Sequence, residues 1–211
     1  PIWSPDIFAI EDFVEKLCGL QVIDNIALLF EFYEAYREKM KEKAEPFDEF
    51  ARWGKILLHD FNEVDLCLVD AKQLFGNLSN IKDIENWSLS EENLTEFHKN
   101  YLEFFSSLGD MYELLRQRLK NKNLVYEGLA NRIVAENLHE KLEGHEWKKI
   151  YFCGFNALNP AEEKIISFLV HSGKAETLWD ADEYYLDDPV QEAGKFLRDT
   201  IPSFSANDKK E

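Results

Sequence analysis

Four acidic residues follow a short run of strand-forming residues near the end of the sequence. Asp180 and Asp182 come directly after the run at 175–179, and Asp187 and Asp188 lie a few residues further on. Carboxylate oxygens are the ligands that hard divalent cations such as Mg²⁺ prefer. The pattern allows a magnesium site, and with it a metal-dependent enzyme such as a nuclease. The alternative is a solvated loop, because acidic side chains are mostly exposed.

A second acidic pattern fits half of a nuclease motif. Asp70 and Lys72 follow the apolar residues 66–69 and match the (D/E)-x-K spacing, in which acids bind magnesium and the lysine orients the attacking water. A complete site needs a further acid, for which Asp60 and Asp65 are the candidates. The apolar spacing around the motif is helical, whereas the motif requires a strand, so the sequence favours a structural helix.

Other catalytic signatures are not present in the sequence. A phosphate-binding loop needs two spaced glycines before Lys and Ser or Thr. Gly54-Lys55 and Gly173-Lys174 lack both the earlier glycine and the hydroxyl. The five histidines show no HExxH spacing, and we expect them to be exposed or partly buried: His59, His98, His139, His145 and His171.

The charge balance is strongly acidic. Among 211 residues there are 41 acids and 24 bases, which gives a formal net charge of −17. Such an excess repels phosphate backbones, so we expect this chain alone to bind nucleic acid poorly. The densest basic cluster has two interpretations, contact with a DNA backbone or cations gathered at a helix C-terminus: Arg116, Arg118, Lys120, Lys122, Lys148 and Lys149.

Cysteine usage and hydropathy indicate a reducing compartment. Cys18, Cys67 and Cys153 lie far apart among apolar neighbours, without the spacing of a disulfide framework or a metal site. The sequence contains no run of about 20 apolar residues, so we expect a cytoplasmic location and no membrane partner. Because the chain starts at Pro1 and ends in the polar run 205–211, we expect it to be an internal piece of a larger protein.

The stretch 148–185 predicts a strand, a helix and a second strand. Residues 150–155 form an apolar run, Asn159 and Pro160 predict a helix start, and Gly173 predicts the helix end. Strands joined through a helix are parallel, and ligands of such sheets bind at the carboxyl ends of the strands. Residues to consider for binding are Gly154, Phe155, Asn156 and the range 180–185.

The rest of the chain predicts mainly helices. Apolar residues recur at spacings of three and four, and capping residues and prolines mark the helix ends. We expect a loop at 76–90 and a strand at 6–10 that joins the two central strands. Helices are expected at 11–18, 24–43, 47–75, 91–120, 126–142 and 190–200. The fold class is therefore a helix-rich α/β protein with a small parallel sheet.

Five segments of the sequence are informative in combination, although none is diagnostic alone: FDEFARWGKILLHDFNEVDLCLVDAKQLFGNL, YEGLANRIV, IYFCGFNALNPAEEKI, KAETLWDADEYY and EAGKF. Together they resemble large bacterial PD-(D/E)XK nuclease-family proteins, whose inactivated superfamily I helicase region is similar to the B subunit of AddAB-type helicase–nucleases. The resemblance covers nearly the whole chain.

This resemblance implies a partial P-loop-NTPase, RecA-like sheet that a helical insertion interrupts. Residues 1–19 and 147–204 would form the RecA-like part, 20–146 the insertion, and 205–211 a polar tail. The resemblance also implies DNA as a partner of the larger protein, a helicase partner subunit, and magnesium in a nuclease domain outside this chain. For the chain itself it implies no cofactor.

The resemblance places two degenerate helicase motifs in the chain. An active helicase has an Asp-Glu pair at the end of the strand that matches 150–155, whereas this chain has Cys153, Gly154 and Phe155 there. An active helicase also has a Gly-Asp-x-x-Gln segment at the end of the next strand, where this chain has Trp179-Asp180-Ala181-Asp182-Glu183. The aspartate is kept as Asp180, but an acid stands at the glutamine position. A carboxylate facing a phosphate repels it, so ATP hydrolysis is not expected.

Three functions follow from these observations. The first is a non-catalytic, helicase-like scaffold region of a nuclease that repairs DNA double-strand breaks by recombination. The second is a magnesium-dependent nuclease, or another metal-dependent enzyme, that uses the acids at 180–188. The third is a helical protein-interaction module, for which an exposed apolar patch would be the sign.

Overall fold

The computed structural model of the chain describes residues 5–86, 96–155 and 157–204. In these residues the protein is a helix-rich α/β protein with two small parallel sheets. It forms two compact units, the first ending at Ala130 and the second beginning at Asn131. The helices are α1 (Ile10–Cys18), α2 (Asn25–Met40), α3 (Phe47–Leu66), α4 (Ala71–Asn86), α5 (Glu96–Asn121), α6 (Glu127–Glu136), α7 (Leu138–Leu142), α8 (Pro160–His171), α9 (Glu183–Asp187) and α10 (Lys195–Thr200), and the strands are β1 (Gln21–Val22), β2 (Leu124–Val125), β3 (Ile150–Cys153) and β4 (Ala175–Leu178).

Helix α2 confirms the predicted helix at 24–43 over most of its length. The Asp24 carboxylate accepts hydrogen bonds from the backbone N–H groups of Ile26 and Ala27, at 2.9 and 3.0 Å, and so caps the helix. Ile26 and Phe30 are exposed although they are apolar. The face that packs into the first unit consists of Leu28, Leu29, Phe32, Ala35 and Tyr36.

The helix predicted at 47–75 is confirmed at 47–66 and from residue 71 on, but it is not continuous. Helix α3 ends at Leu66, and Leu68 takes a positive φ of 52° before α4 begins at Ala71. The apolar spacing continues across this break because Phe61 on α3 and Phe75 on α4 belong to the same aromatic core, with ring centroids 5.7 Å apart. The loop predicted at 76–90 is wrong where it is described, because α4 runs to Asn86.

The sheet of β1 and β2 was not predicted, and the strand predicted at 6–10 is wrong. Residues 5–9 contain no strand, and α1 begins at Ile10. Parallel pairing instead joins Gln21 to Leu124 and Val22 to Val125. Two-residue strands are too short to show an alternating pattern, which is why the sequence does not reveal them.

The second unit confirms the strand, helix and strand predicted at 148–185, with each strand shorter than expected. Strands β3 and β4 pair in parallel from Ile150 with Ala175 to Cys153 with Leu178. At the start of α8, Asn159 Oδ1 accepts a hydrogen bond from Glu162 N at 2.9 Å, and Glu162 Oε2 accepts one from Asn159 N at 3.0 Å. This reciprocal capping box fixes the helix start.

The remaining predicted helices are confirmed in part. Helix α5 covers the described part of 91–120, whereas the helix at 126–142 is interrupted at Asn137 between α6 and α7. The helix at 190–200 is confirmed only as α10, after a 3₁₀ turn at Glu192–Gly194. Helix α9 was not predicted. Among the described helices, none combines the length and apolar character needed to cross a bilayer.

Candidate functional site

The carboxyl end of β3 carries backbone groups and small or apolar side chains. Gly154 turns the chain with a φ of 77°, and its N–H donates to the Leu178 carbonyl at 3.4 Å. Cys153 is exposed and Phe155 is half-buried. Asn156 lies outside the described residues. This strand end therefore contributes no carboxylate to a metal or a water molecule.

The acids after β4 shape turns. Asp182 Oδ1 accepts a hydrogen bond from Tyr184 N at 2.8 Å and so starts α9. Asp188 Oδ1 accepts one from Val190 N at 2.9 Å. Asp180, Glu183 and Asp187 are exposed. No group of three or more His, Cys, Asp or Glu side chains is placed to hold a metal ion in the described parts of the chain.

Arg198 organises the loop that follows these acids. Its Nη1 donates to the carbonyls of Tyr185 and Asp188 at 2.6 and 3.1 Å, and its Nη2 donates to those of Pro189 and Gln191 at 3.4 and 2.7 Å. The guanidinium therefore satisfies loop carbonyls. Sequence reasoning missed this role, because backbone carbonyls have no sequence signature.

Of the candidate nuclease residues, Asp60, Asp65 and Lys72 lie on helices, and Asp70 directly precedes one. Asp60 and Asp65 are on α3, and Asp70 Oδ1 accepts a hydrogen bond from Gln73 N at 3.0 Å at the start of α4. The (D/E)-x-K motif requires a strand, whereas Asp70 and Lys72 lie at the start of a helix, as the apolar spacing around them predicted.

Asp65 is fully buried within the first unit and belongs to a polar cluster that the sequence did not reveal. The Tyr112 hydroxyl donates to Asp65 Oδ1 at 2.5 Å, and the Tyr126 hydroxyl donates to Oδ2. Burial, and secondly the Asp65 carboxylate, raise the pKa of Tyr126 well above its usual value. The Arg116 guanidinium lies 5.1 Å from the centroid of the Tyr112 ring. The side chains of Asp65, Tyr112 and Tyr126 are closed to solvent, so a substrate does not reach them. Their hydrogen bonds hold α3 against α5 and against the residue that precedes α6.

The basic cluster on α5 is mostly paired with acids. Arg118 lies 3.5 Å from Glu31 and 3.7 Å from Glu38, and Lys122 also contacts Glu31. Arg116 pairs with Glu113 at 3.4 Å, whereas Lys120 is exposed. These carboxylates reduce the positive potential that a DNA backbone would meet.

The two lysines before β3 belong to the second unit. Lys149 contacts the Glu176 carboxylate at 2.9 Å and the Gly173 carbonyl at 3.4 Å. Lys148 is exposed. A role of either lysine, or of the α5 cations, in contacting DNA stays a prediction.

A surface groove of about 470 Å³ lies beside the paired cations in the first unit. Its lining contains equal numbers of acids and bases: Glu34, Arg37, Glu38, Lys41, Glu42 and Arg118. Their charges offset one another, so the groove has no clear preference for an anionic or a cationic ligand.

The described histidines take structural positions or are exposed. The His145 ring stacks on Trp147 with centroids 4.4 Å apart, so one face of this tryptophan is covered by a neighbour in the same loop. His139 packs edge-on against Phe168 at 4.8 Å, and His171 Nδ1 lies 2.6 Å from the Ser167 carbonyl oxygen. His59 is exposed. The side chain of His98 and all of Trp87 lie outside the described residues.

No protein-family model, curated protein or solved structure matches this chain. The nuclease-family resemblance therefore stays a prediction from the quoted segments.

Proposed function

We propose that this chain is a non-catalytic, helicase-like scaffold region of a nuclease that acts in DNA double-strand-break repair. In this proposal, β3, α8 and β4 belong to a degenerate RecA-like sheet of the P-loop-NTPase type. The larger protein handles DNA and uses magnesium in a nuclease domain elsewhere, and this region docks neighbouring domains and a helicase partner subunit.

The observation that carries the proposal is the chemistry at the carboxyl ends of β3 and β4. The end of β3 has no acid to hold a metal, and the Asp182 carboxylate after β4 caps α9. At the start of α8, the capping box already engages the N–H of Glu162, and Glu162 and Glu163 place negative charge in the first turn. A nucleotide phosphate at the carboxyl ends of the strands would meet the carboxylates of the first turn of α8 and those that follow β4. Like charges repel, so this arrangement disfavours phosphate binding.

Apolar exposure on the first unit supports the docking role. Ile26 is 71% exposed and Phe30 is 52% exposed, one turn apart on α2. The Phe30 ring stacks on that of Phe47, with centroids 4.7 Å apart and planes within 3°. These exposed apolar side chains suit a contact with another protein.

Two assays on the full chain separate a scaffold from a metal-dependent nuclease. Calorimetric titration with MgCl₂ or MnCl₂ is expected to show no saturable binding, and the chain is expected not to nick supercoiled plasmid. The matched variant carries Asp180→Asn and Asp182→Asn. Saturable binding together with nicking, both lost in this variant, would replace the scaffold with the nuclease alternative.

A further inference from the structure

Four large apolar side chains are exposed in the segment that follows β4 in the second unit. The exposed fractions are 65% for Tyr184, 42% for Tyr185, 83% for Val190 and 52% for Phe196 on α10. The Tyr184 and Tyr185 rings lie edge to face, with centroids 5.2 Å apart. We call these four side chains the tyrosine surface.

The backbone that carries the tyrosine surface is held in one conformation. Four consecutive stretches of this loop are tied together, because the Arg198 guanidinium donates to four of its carbonyls, the first that of Tyr185 and the last that of Gln191. The start of α10 is close by, since a Cβ at Gly194 would lie 2.0 Å from the Tyr185 carbonyl oxygen. The exposed apolar side chains therefore lie in one small region, as they do at protein contacts. A surface that is ordered before binding loses little conformational entropy when a partner docks.

The charge around the tyrosine surface has one sign. The range 180–192 contains six acids and no base, and the next base in the sequence is Lys195. A partner that covers the apolar side chains also removes water from these carboxylates, which is costly unless the partner supplies positive charge. The six acids are Asp180, Asp182, Glu183, Asp187, Asp188 and Glu192.

We propose that the tyrosine surface binds a basic segment of another protein, in which lysines or arginines flank one or more large apolar side chains. The apolar side chains of the segment cover Val190 and Phe196. Its cations lie over the tyrosine rings, whose faces attract them, or pair with the surrounding carboxylates. This inference specifies the chemistry of the partner in the docking role proposed above, and it rests on that role.

The expected binding is weak. Four side chains form a smaller contact than a standard stable interface, so we expect a dissociation constant in the micromolar range. The probe is a synthetic amphipathic peptide of about 15 residues, with leucines on one helical face and lysines on the other. A peptide with glutamates in place of the lysines should not bind, and one with serines in place of the leucines should bind more weakly.

The location of binding has to be measured, because a net charge of −17 attracts cationic peptides in general. A nuclear magnetic resonance titration of the full chain, at near-physiological salt, provides this readout. The backbone amides of 183–192 should show saturable shifts with the leucine–lysine peptide. Those of 138–143, which also belong to the second unit, should not.

Two double variants remove the two kinds of interaction separately. Tyr184→Ser with Val190→Ser removes apolar contacts, and Glu183→Gln with Asp187→Asn removes two negative charges. Each should weaken the affinity for the leucine–lysine peptide about fivefold or more. All four side chains are exposed, and circular dichroism establishes that the variants fold.

The matched control for charge is Glu140→Gln with Glu143→Gln. It removes the same charge from exposed positions elsewhere in the second unit, and should change the affinity less than about twofold.

Three results would each overturn the inference: no saturable shifts at 183–192, an equal loss of affinity in the control pair, or an unchanged affinity in Tyr184→Ser with Val190→Ser. The metal titration and the nicking assay contain no peptide. A failed peptide titration therefore leaves the scaffold proposal in place, and plasmid nicking would overturn the scaffold without altering the peptide result.

Discussion

At the scale of single residues, Asp65 joins two other parts of the first unit. Tyr112 belongs to α5 and Tyr126 lies between β2 and α6, and both hydroxyls donate to the Asp65 carboxylate on α3. A buried carboxylate is costly unless it is hydrogen-bonded. The two hydrogen bonds therefore stabilise the packing of α3 against α5 and against the segment between β2 and α6.

Tyr126→Phe is expected to lower the free energy of unfolding by about 1–3 kcal/mol, because the buried Asp65 carboxylate loses a hydrogen bond from the Tyr126 hydroxyl. Tyr184→Phe provides the control: its side chain is 65% exposed, so its change should stay within about 0.5 kcal/mol. Denaturant unfolding measures both variants. Equal stability of Tyr126→Phe and the parent chain would contradict the bracing role of the cluster.

Stability is expected to fall at alkaline pH. Burial raises the pKa of Tyr126 and of Tyr36 above the usual value of about 10. A raised folded-state pKa of a phenol means that its contribution is fully present below about pH 10 and is lost as pH rises towards the folded-state pKa. Denaturant unfolding at about pH 8 and about pH 11 should show this loss. The decrease in the free energy of unfolding should be smaller in Tyr126→Phe. A decrease of the same size in the variant would show that other groups cause the alkaline destabilisation.

At the scale of elements, α3 and α6 approach each other closely at a glycine. The N–H of Gly128 donates to Asn62 Oδ1 at 2.7 Å. A Cβ at this position would lie 2.4 Å from the Asn62 carbonyl oxygen and 2.8 Å from its Oδ1. The contact between the two helices therefore requires glycine, although glycine is unfavourable inside helices.

Two glycine substitutions should have opposite effects on stability. Gly128→Ala should destabilise the chain because the new methyl group clashes with the α3 backbone. Gly76→Ala, in the middle of α4, meets no described atom within 4 Å and should stabilise the chain by up to about 1 kcal/mol through helix propensity. Thermal and denaturant unfolding compare the pair. A stabilising Gly128→Ala would mean that α3 and α6 do not pack as described.

Elements were predictable where a local chemical signal marks them. The Asp24 cap and the Asn159 capping box located α2 and α8, and apolar runs located β3 and β4. The break at 67–70 carries one such signal, because Asp70 caps the start of α4. The apolar spacing continues across the break, however, and Leu68 adopts a left-handed conformation that its residue type does not favour, so the sequence did not reveal it.

The candidate site was only partly predictable for a similar reason. Aspartate serves both as a metal ligand and as the residue that caps short turns, so the acids at 180–188 were compatible with two structures. The structure uses Asp182 and Asp188 in turns. Arg198 was not identified at all, because its partners are backbone carbonyls.

At the scale of the whole molecule, the acidic surface and the paired cations match the scaffold proposal. A net charge of −17 disfavours DNA, and the Arg118 and Lys122 side chains already contact carboxylates. In this proposal, contacts with DNA would come mainly from other parts of a larger protein. Exposed apolar side chains such as Ile26 and Phe30 suit protein contacts.

The most direct test of the central claim is a nuclear magnetic resonance titration of the full chain with Mg·ATP, following the backbone amides of 153–155 and 180–183. A non-catalytic scaffold predicts no saturable shifts at these positions, since the end of β3 has no acid and the first turn of α8 is already capped. Saturable shifts at both strand ends, with ATP turnover that Asp180→Asn abolishes, would contradict the account.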